Sequence, residues 1–121
     1  MVELSKFSEW TFYEEVTSTQ EINSMLREDE HVFKAYKTIR DVAVFTNLRL
    51  IVVDSQGFTG KKKEIYSVPY KSIHMWSTEN SGTFDFNSEV QLWTKAGVIK
   101  INLGKKVNVR DFDKLIQNIC L

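Results

Sequence analysis

From Val32 onward, apolar and polar residues alternate with a period of two through one run after another, and no helical stretch separates the runs. Val32, Lys34, Tyr36 and Thr38 alternate with Phe33, Ala35 and Lys37; Val42, Val44 and Thr46 with Ala43 and Phe45; Leu48, Leu50 and Val52 with Arg49, Ile51 and Val53. Asp54-Ser55-Gln56-Gly57 and Gly60 supply turn chemistry before a fourth run, Lys62 to Val68, which Pro69 breaks; Ser72 to Thr78 is a fifth. After a loop opened by Asn80-Ser81-Gly82, Glu89 to Thr94 and Val98 to Leu103 are the last two, joined by a tight Lys95-Ala96-Gly97 hairpin. Parallel strands need a crossover of a dozen or more residues. Seven short, closely spaced strands therefore predict an antiparallel sheet bent or closed into a barrel.

The period changes at both ends of the chain. Asn108 is a good N-cap, Asp111 suits the first turn, Val107 and Phe112 have hydrophobic-staple spacing, and Val109, Phe112, Leu115, Ile116 and Ile119 share one face. A helix of about twelve residues is marginal alone. Its apolar face must pack, and its place after the last strand predicts that it caps the barrel. Upstream, Ser18-Thr19-Gln20-Glu21 has capping-box spacing, and Ile22, Met25 and Leu26 predict a short helix ending near Glu28. Trp10, Phe12 and Tyr13 lie among charged residues with no clean period; they need a dock, and are candidate oligomer contacts.

The net charge of zero conceals a division. Residues 1–30 carry two basic against eight acidic side chains, so residues 31–121 carry a net plus six. The length of 121 residues fits one domain, and this reading divides it into an acidic segment, 1–30, with the short helix, and a β domain, 31–121. Such a division fits an acidic tail that shields a basic face of its own chain, an acidic segment that meets the basic body of a neighbouring subunit, or two merely solvated surfaces. Plus six over about ninety residues falls short of the dense basic stripe of a duplex nucleic-acid binder, so no nucleic acid is expected. The start lacks a basic region followed by an apolar stretch, and no apolar run approaches ~20 residues, which leads to an expected cytoplasmic location.

Ingredients for catalysis are scarce. One cysteine, Cys120, and two histidines, His31 and His74, exclude a disulfide framework and leave little for a metal cage. Nothing near Cys120 in sequence lowers its pKa, and lone strand histidines are usually structural or exposed. Asp85 and Glu89 could form a carboxylate pair, but an Asp in a loop rich in Asn and Ser commonly bonds its own backbone. No phosphate-cradling glycine motif occurs. The expectation is a chain without enzymatic activity, cofactor or metal. Arg49 is expected to pair with Glu89 or Asp85. Trp76 and Trp93 read as sheet packing, and either one left exposed would mark a partner surface. Lys61, Lys62 and Lys63 form a basic turn able to meet phosphates, or a solvated turn that protects a strand edge.

Residues 45–63, from Phe45-Thr46-Asn47-Leu48-Arg49 through Gly57-Phe58-Thr59-Gly60 to Lys61-Lys62-Lys63, resemble the signature of the bacterial pleckstrin-homology-like domain family. So do Ile65 to Ile73 and Gly82 to Trp93. The resemblance implies two nearly orthogonal antiparallel sheets capped by a C-terminal helix, and assembly into ring-like homo-oligomers. In lipid-binding pleckstrin-homology domains a basic motif surrounds the first hairpin. The matching candidates are Lys34, Lys37 and Arg40, whose spacing departs from the usual Lys, then Lys/Arg-x-Arg pattern. The expected function is a self-associating protein-interaction or scaffolding module, with itself and an unidentified protein as partners. The alternative is peripheral binding to anionic membrane lipid through Lys61, Lys62 and Lys63. Three lysines at ~1 kcal/mol each fall short of the ~4.1 kcal/mol of a millimolar complex, and the acidic segment opposes them, so little binding is expected without avidity.

Overall fold

Each alternating run becomes a strand in the computed structural model, which describes residues 9–80 and 88–121. In chain order the elements are β1 (Glu9–Phe12), β2 (Glu14–Val16), α1 (Gln20–Asn23), β3 (Val32–Lys37), β4 (Val42–Thr46) and β5 (Arg49–Gln56). There follow β6 (Lys62–Pro69), a 3-10 turn at Tyr70–Ser72, β7 (Ile73–Glu79), β8 (Ser88–Thr94), β9 (Gly97–Leu103) and α2 (Val109–Cys120). The strands form a five-stranded sheet in the order β2-β3-β4-β5-β6 and a four-stranded sheet in the order β1-β9-β8-β7. Among the described residues all pairings are antiparallel except β1 with β9, which run parallel.

The expected barrel does not close. Among the described residues no ladder joins the two sheets; the chain crosses between them at Tyr13 and at the 3-10 turn. Pro69, without an amide hydrogen, stops β6, and Tyr70–Ser72 turn the chain into the other sheet before pairing resumes at Ile73.

The space between the sheets is filled by Phe12, Tyr36, Phe45, Leu50, Leu92, Ile101 and Leu103, and α2 closes it with Phe112, Leu115 and Ile116. The helix matches its sequence signals: Asn108 Oδ1 accepts from the amides of Arg110 and Asp111. A second apolar layer covers the outer face of the five-stranded sheet, where Ala35, Val42, Val44, Ile51 and Val53 pack under Ile22, Met25 and Leu26. All five residues of β4 are consequently buried.

Residues 9–30 differ from their sequence reading in two ways. They contribute β1 and β2 to the two sheets, so the change of charge near residue 30 is no break in the fold. The predicted helix to Glu28 is a single turn, Gln20–Asn23, whose N-cap is Thr19. Four residues cannot sustain a helix alone. The Ser24 hydroxyl donates to the Glu21 carbonyl, and the Glu30 carboxylate accepts from the Arg27 amide, which draws the chain down onto the sheet instead.

Gly104 sits where β9 passes the β1–β2 kink. Its amide donates to the Phe12 carbonyl at 2.8 Å, and a Cβ on it would lie 2.9 Å from the Tyr13 carbonyl oxygen. Because that neighbour is backbone, Gly104→Ala is expected to destabilise the protein by about 1–3 kcal/mol, read from its urea midpoint. An unchanged midpoint would show that the kink can yield.

Candidate interaction surfaces

The chemistry-bearing residues do not converge. Cys120 is half-buried near the end of α2, and burial pushes its thiol pKa up, away from a nucleophile. His31 and His74 are exposed, the first just before β3 and the second on the edge strand β7, and the His31 ring rests on Phe33. Glu89 pairs with Lys100 on the neighbouring strand at 3.7 Å, while Asp85 lies outside the described residues. Among the described residues no three metal-ligating side chains gather.

Arg49 does not pair with Glu89, and the other expected partner, Asp85, lies outside the described residues. The Arg49 Nε donates to Glu30 Oε2 at 2.9 Å and its Nη2 to Oε1 at 3.1 Å. Arg49 begins β5 in the five-stranded sheet and Glu89 lies in the other sheet; Glu30, at the end of the segment covering the outer face, is the carboxylate within reach.

The six candidate cations separate into two groups. Lys34 is engaged by Glu15 at 3.2 Å, and Lys63 folds back onto Glu21 at 3.0 Å and Asp41 at 3.5 Å. The Glu21 hydrogen bond is the main cause of the raised Lys63 pKa. Lys61 and Lys62 stay exposed, with no ion pair among the described residues. Arg40 spans two turns, its Nη2 donating to the Gly57 carbonyl at 2.7 Å. Lys37 borders a groove of about 610 Å³ with Lys105 and Lys106 from the loop before α2, and Lys106 holds Glu14 at 3.0 Å. That hydrogen bond is the chief cause of the lowered Glu14 pKa.

Two apolar side chains stand at this same end, and neither was singled out from the sequence. Phe58 is fully exposed at the tip of the β5–β6 turn, carried between Gly57 and Gly60, whose φ angles of 76° and 69° favour glycine. Ile39, in the β3–β4 turn, is 72% exposed. The pair of glycines signals the turn; only the sheet register shows that the two turns lie side by side.

The candidate oligomer contacts have different fates. Phe12 is fully buried inside its own chain, stacked on Tyr36 with centroids 5.5 Å apart, and so is unavailable to a partner. Trp10 packs against Tyr66 at 5.9 Å. Tyr13 is exposed.

The tryptophans also part company. Trp76 turns inward, and its Nε1 donates to Asp113 at 3.0 Å. Hydrogen bonds from Gln117, then Trp76 and Thr78, hold the Asp113 pKa low. Trp93 points the other way, in register between Met75 on β7 and Val98 on β9. Met75 is 51% and Val98 40% exposed, so the three form an apolar row across the outer face of the four-stranded sheet. The next rows, Ser77, Gln91 and Lys100, then Glu79, Glu89 and Asn102, are polar.

Comparison with known proteins places the chain. YjqA of Bacillus subtilis (strain 168), an uncharacterised protein, is 40% identical to it over 105 residues, 84% of each chain. A DUF1696-family protein with a pleckstrin-homology domain from Shewanella loihica PV-4 superposes with a TM-score of 0.81 at 40% identity, over 89% of this chain and 97% of that one. A pleckstrin-homology domain from Shewanella amazonensis SB2B gives 0.68 at 38% identity, over 84% and 83%. The family model described as a bacterial PH domain matches residues 2–120, and the chain, with its two mainly antiparallel sheets and terminal helix, belongs to that family.

Proposed function

We propose that this chain is a non-enzymatic module that associates with copies of itself through the outer face of its four-stranded sheet, and so serves as a scaffold for a protein partner in the cytoplasm. The row Met75, Trp93 and Val98 carries this reading. The corresponding face of the other sheet is also apolar, but the chain covers it with its own Ile22, Met25 and Leu26. Two of the row's members are half exposed, and β7, which carries Met75, is an edge strand among the described residues. A second copy supplies the same apolar row, as an isologous contact requires.

Light scattering on the purified protein tests this. The expected mass is a multiple of 14.1 kDa, and the double variant Met75→Glu, Val98→Glu is expected to fall to a single chain while keeping its thermal midpoint. These positions suit the test better than deletion of residues 1–15, which would remove β1 and the buried Phe12. A single-chain mass for the intact protein at high concentration, or an unchanged mass for the double variant, would overturn the proposal.

A further inference from the structure

Residues 17–30 lie over the outer face of the five-stranded sheet, between β2 and β3. The amides of Asn23, Ser24, Met25, Leu26 and Glu30 all donate to carbonyls of this same segment. Side chains of the sheet fasten it at two places. Lys63 on β6 holds Glu21 at 3.0 Å; at the β4–β5 corner Arg49 and Thr46 hold the Glu30 carboxylate at 2.9 and 2.7 Å, and Asn47 Nδ2 donates to the Asp29 carbonyl at 3.0 Å. The apolar seal is thin: of Ile22, Met25 and Leu26 only Ile22 is fully buried, and its helix is a single turn. The face beneath is wider than this cover. Ala35, Val44 and Ile51 stand in register as one apolar row, Val53 and Ile65 are opposite each other in the next, and Ile65 is left 44% exposed.

We propose that residues 17–30 are a displaceable cover, and that the face beneath them receives an amphipathic helix of a protein partner, carrying carboxylates for Arg49 and Lys63. The rest of the fold does not need the cover, because the main core, between the two sheets and under α2, is a cluster separate from the outer layer. A segment with few buried apolar contacts and main-chain bonds closed within itself opens at less than the free energy of global unfolding. Lifting it uncovers the apolar rows between two cations, Arg49 and Lys63, whose partners Glu30 and Glu21 leave with it. What the partner replaces specifies its chemistry. It brings apolar side chains at helical spacing, since a helix buries its stripe on a sheet face, two carboxylates for the cations, and enough length to cover Ile65. The area gained at Ile65 is what a longer helix offers over the single turn of the cover. The row Met75, Trp93 and Val98 lies on the other sheet, so the two surfaces are independent.

Hydrogen exchange of the full chain, read by mass spectrometry, tests the opening. Ile22→Ser removes the one fully buried anchor of the cover, and is expected to abolish protection in residues 17–30 while β3 to β6 and α2 keep theirs. Loss of protection throughout the chain, or failure of this variant to fold, would show that the cover is integral to the fold and overturn the proposal. The probe for docking is a synthetic amphipathic helix of about eighteen residues, with Leu along one face and Glu near both ends, labelled for fluorescence anisotropy. It is expected to bind the parent, to bind Ile22→Ser about tenfold more tightly because no cover competes, and to expose residues 17–30 of the parent to exchange while protecting β6 around Ile65. A version of the probe with Lys in place of Glu should bind about tenfold more weakly. The Met75→Glu, Val98→Glu variant should bind the probe as the parent does, which separates this outcome from that of self-association. Absence of binding to both parent and Ile22→Ser, binding that leaves residues 17–30 protected, equal binding of the Lys version, or loss of binding in the Met75→Glu, Val98→Glu variant would overturn the proposal.

Discussion

Phe112→Ala is expected to lower the unfolding free energy by about 3–5 kcal/mol, against a total of about 5–15 kcal/mol for a domain of this size. The ring is fully buried and lies between the elements that enclose the main core. Its centroid is 6.1 Å from Phe12 on β1, 5.5 Å from Tyr36 on β3 and 5.6 Å from Phe45 on β4. Truncation opens a cavity that both sheets and the helix border, and it removes tilted and edge-to-face contacts worth about 0.5–1.5 kcal/mol each beyond area. Urea denaturation reads the loss as a lower midpoint at unchanged slope. A midpoint near that of the parent would mean that α2 is not seated on the core.

Arg49→Met is expected to cost a similar amount, about 3–5 kcal/mol at neutral pH, because it leaves the Glu30 carboxylate buried without its charge partner. The Glu30 side chain has no solvent exposure, and besides Arg49 it accepts from the Thr46 hydroxyl at 2.7 Å and the Arg27 amide at 3.1 Å. Its pKa is held at about 2, chiefly by the Arg49 hydrogen bond and also by Thr46 and Arg27, with burial opposing them. The folded value lies below the ordinary 4.5, so this stabilisation is fully present above pH 4.5 and is lost as the pH falls toward about 2. A thermal-midpoint series across that range should show the loss in the parent and a flatter profile in Glu30→Gln. An Arg49→Met midpoint at neutral pH equal to the parent's would show that water reaches Glu30.

The strands that pair with sequence neighbours were legible because alternation and turn chemistry act over a few residues. Val42-Ala43-Val44-Phe45 reads there only as one more strand, although its apolar residues occupy both parities and both faces are buried. What covers the second face was not legible. Ile22, Met25 and Leu26 are too few and too narrow a stripe to name the surface they meet. β1 and β2 were missed because four and three residues hold no measurable period, and the burial of Phe12 depends on a partner strand far along the chain. Closure of the barrel could not be read from the number of strands, which leaves the corner at Pro69 undetermined. The choice of Glu30 over Glu89 for Arg49 depends on where each carboxylate lies relative to the two sheets, and local pattern carries no information on that. The basic turn was visible as a string of lysines; which of them are free, and that Phe58 leads them, depends on where Glu21 and Asp41 lie in space.

The parallel pairing of β1 with β9 orders the assembly of the molecule in time. Strands β2 to β6 are each bonded to their sequence neighbour, so the closures from β3 to β6 span short turns and that of β2 on β3 only the segment holding α1, and the outer layer under Ile22 needs nothing beyond residue 53. β1 instead meets its partner across a loop of about ninety residues, whose closure entropy is recovered only when Lys100 to Leu103 arrive. During synthesis the outer apolar layer can therefore form first. The aromatic face that awaits Phe12 and Phe112 stays open until the last helix leaves the ribosome, making the nascent five-stranded sheet the stage at which this chain is most exposed to aggregation.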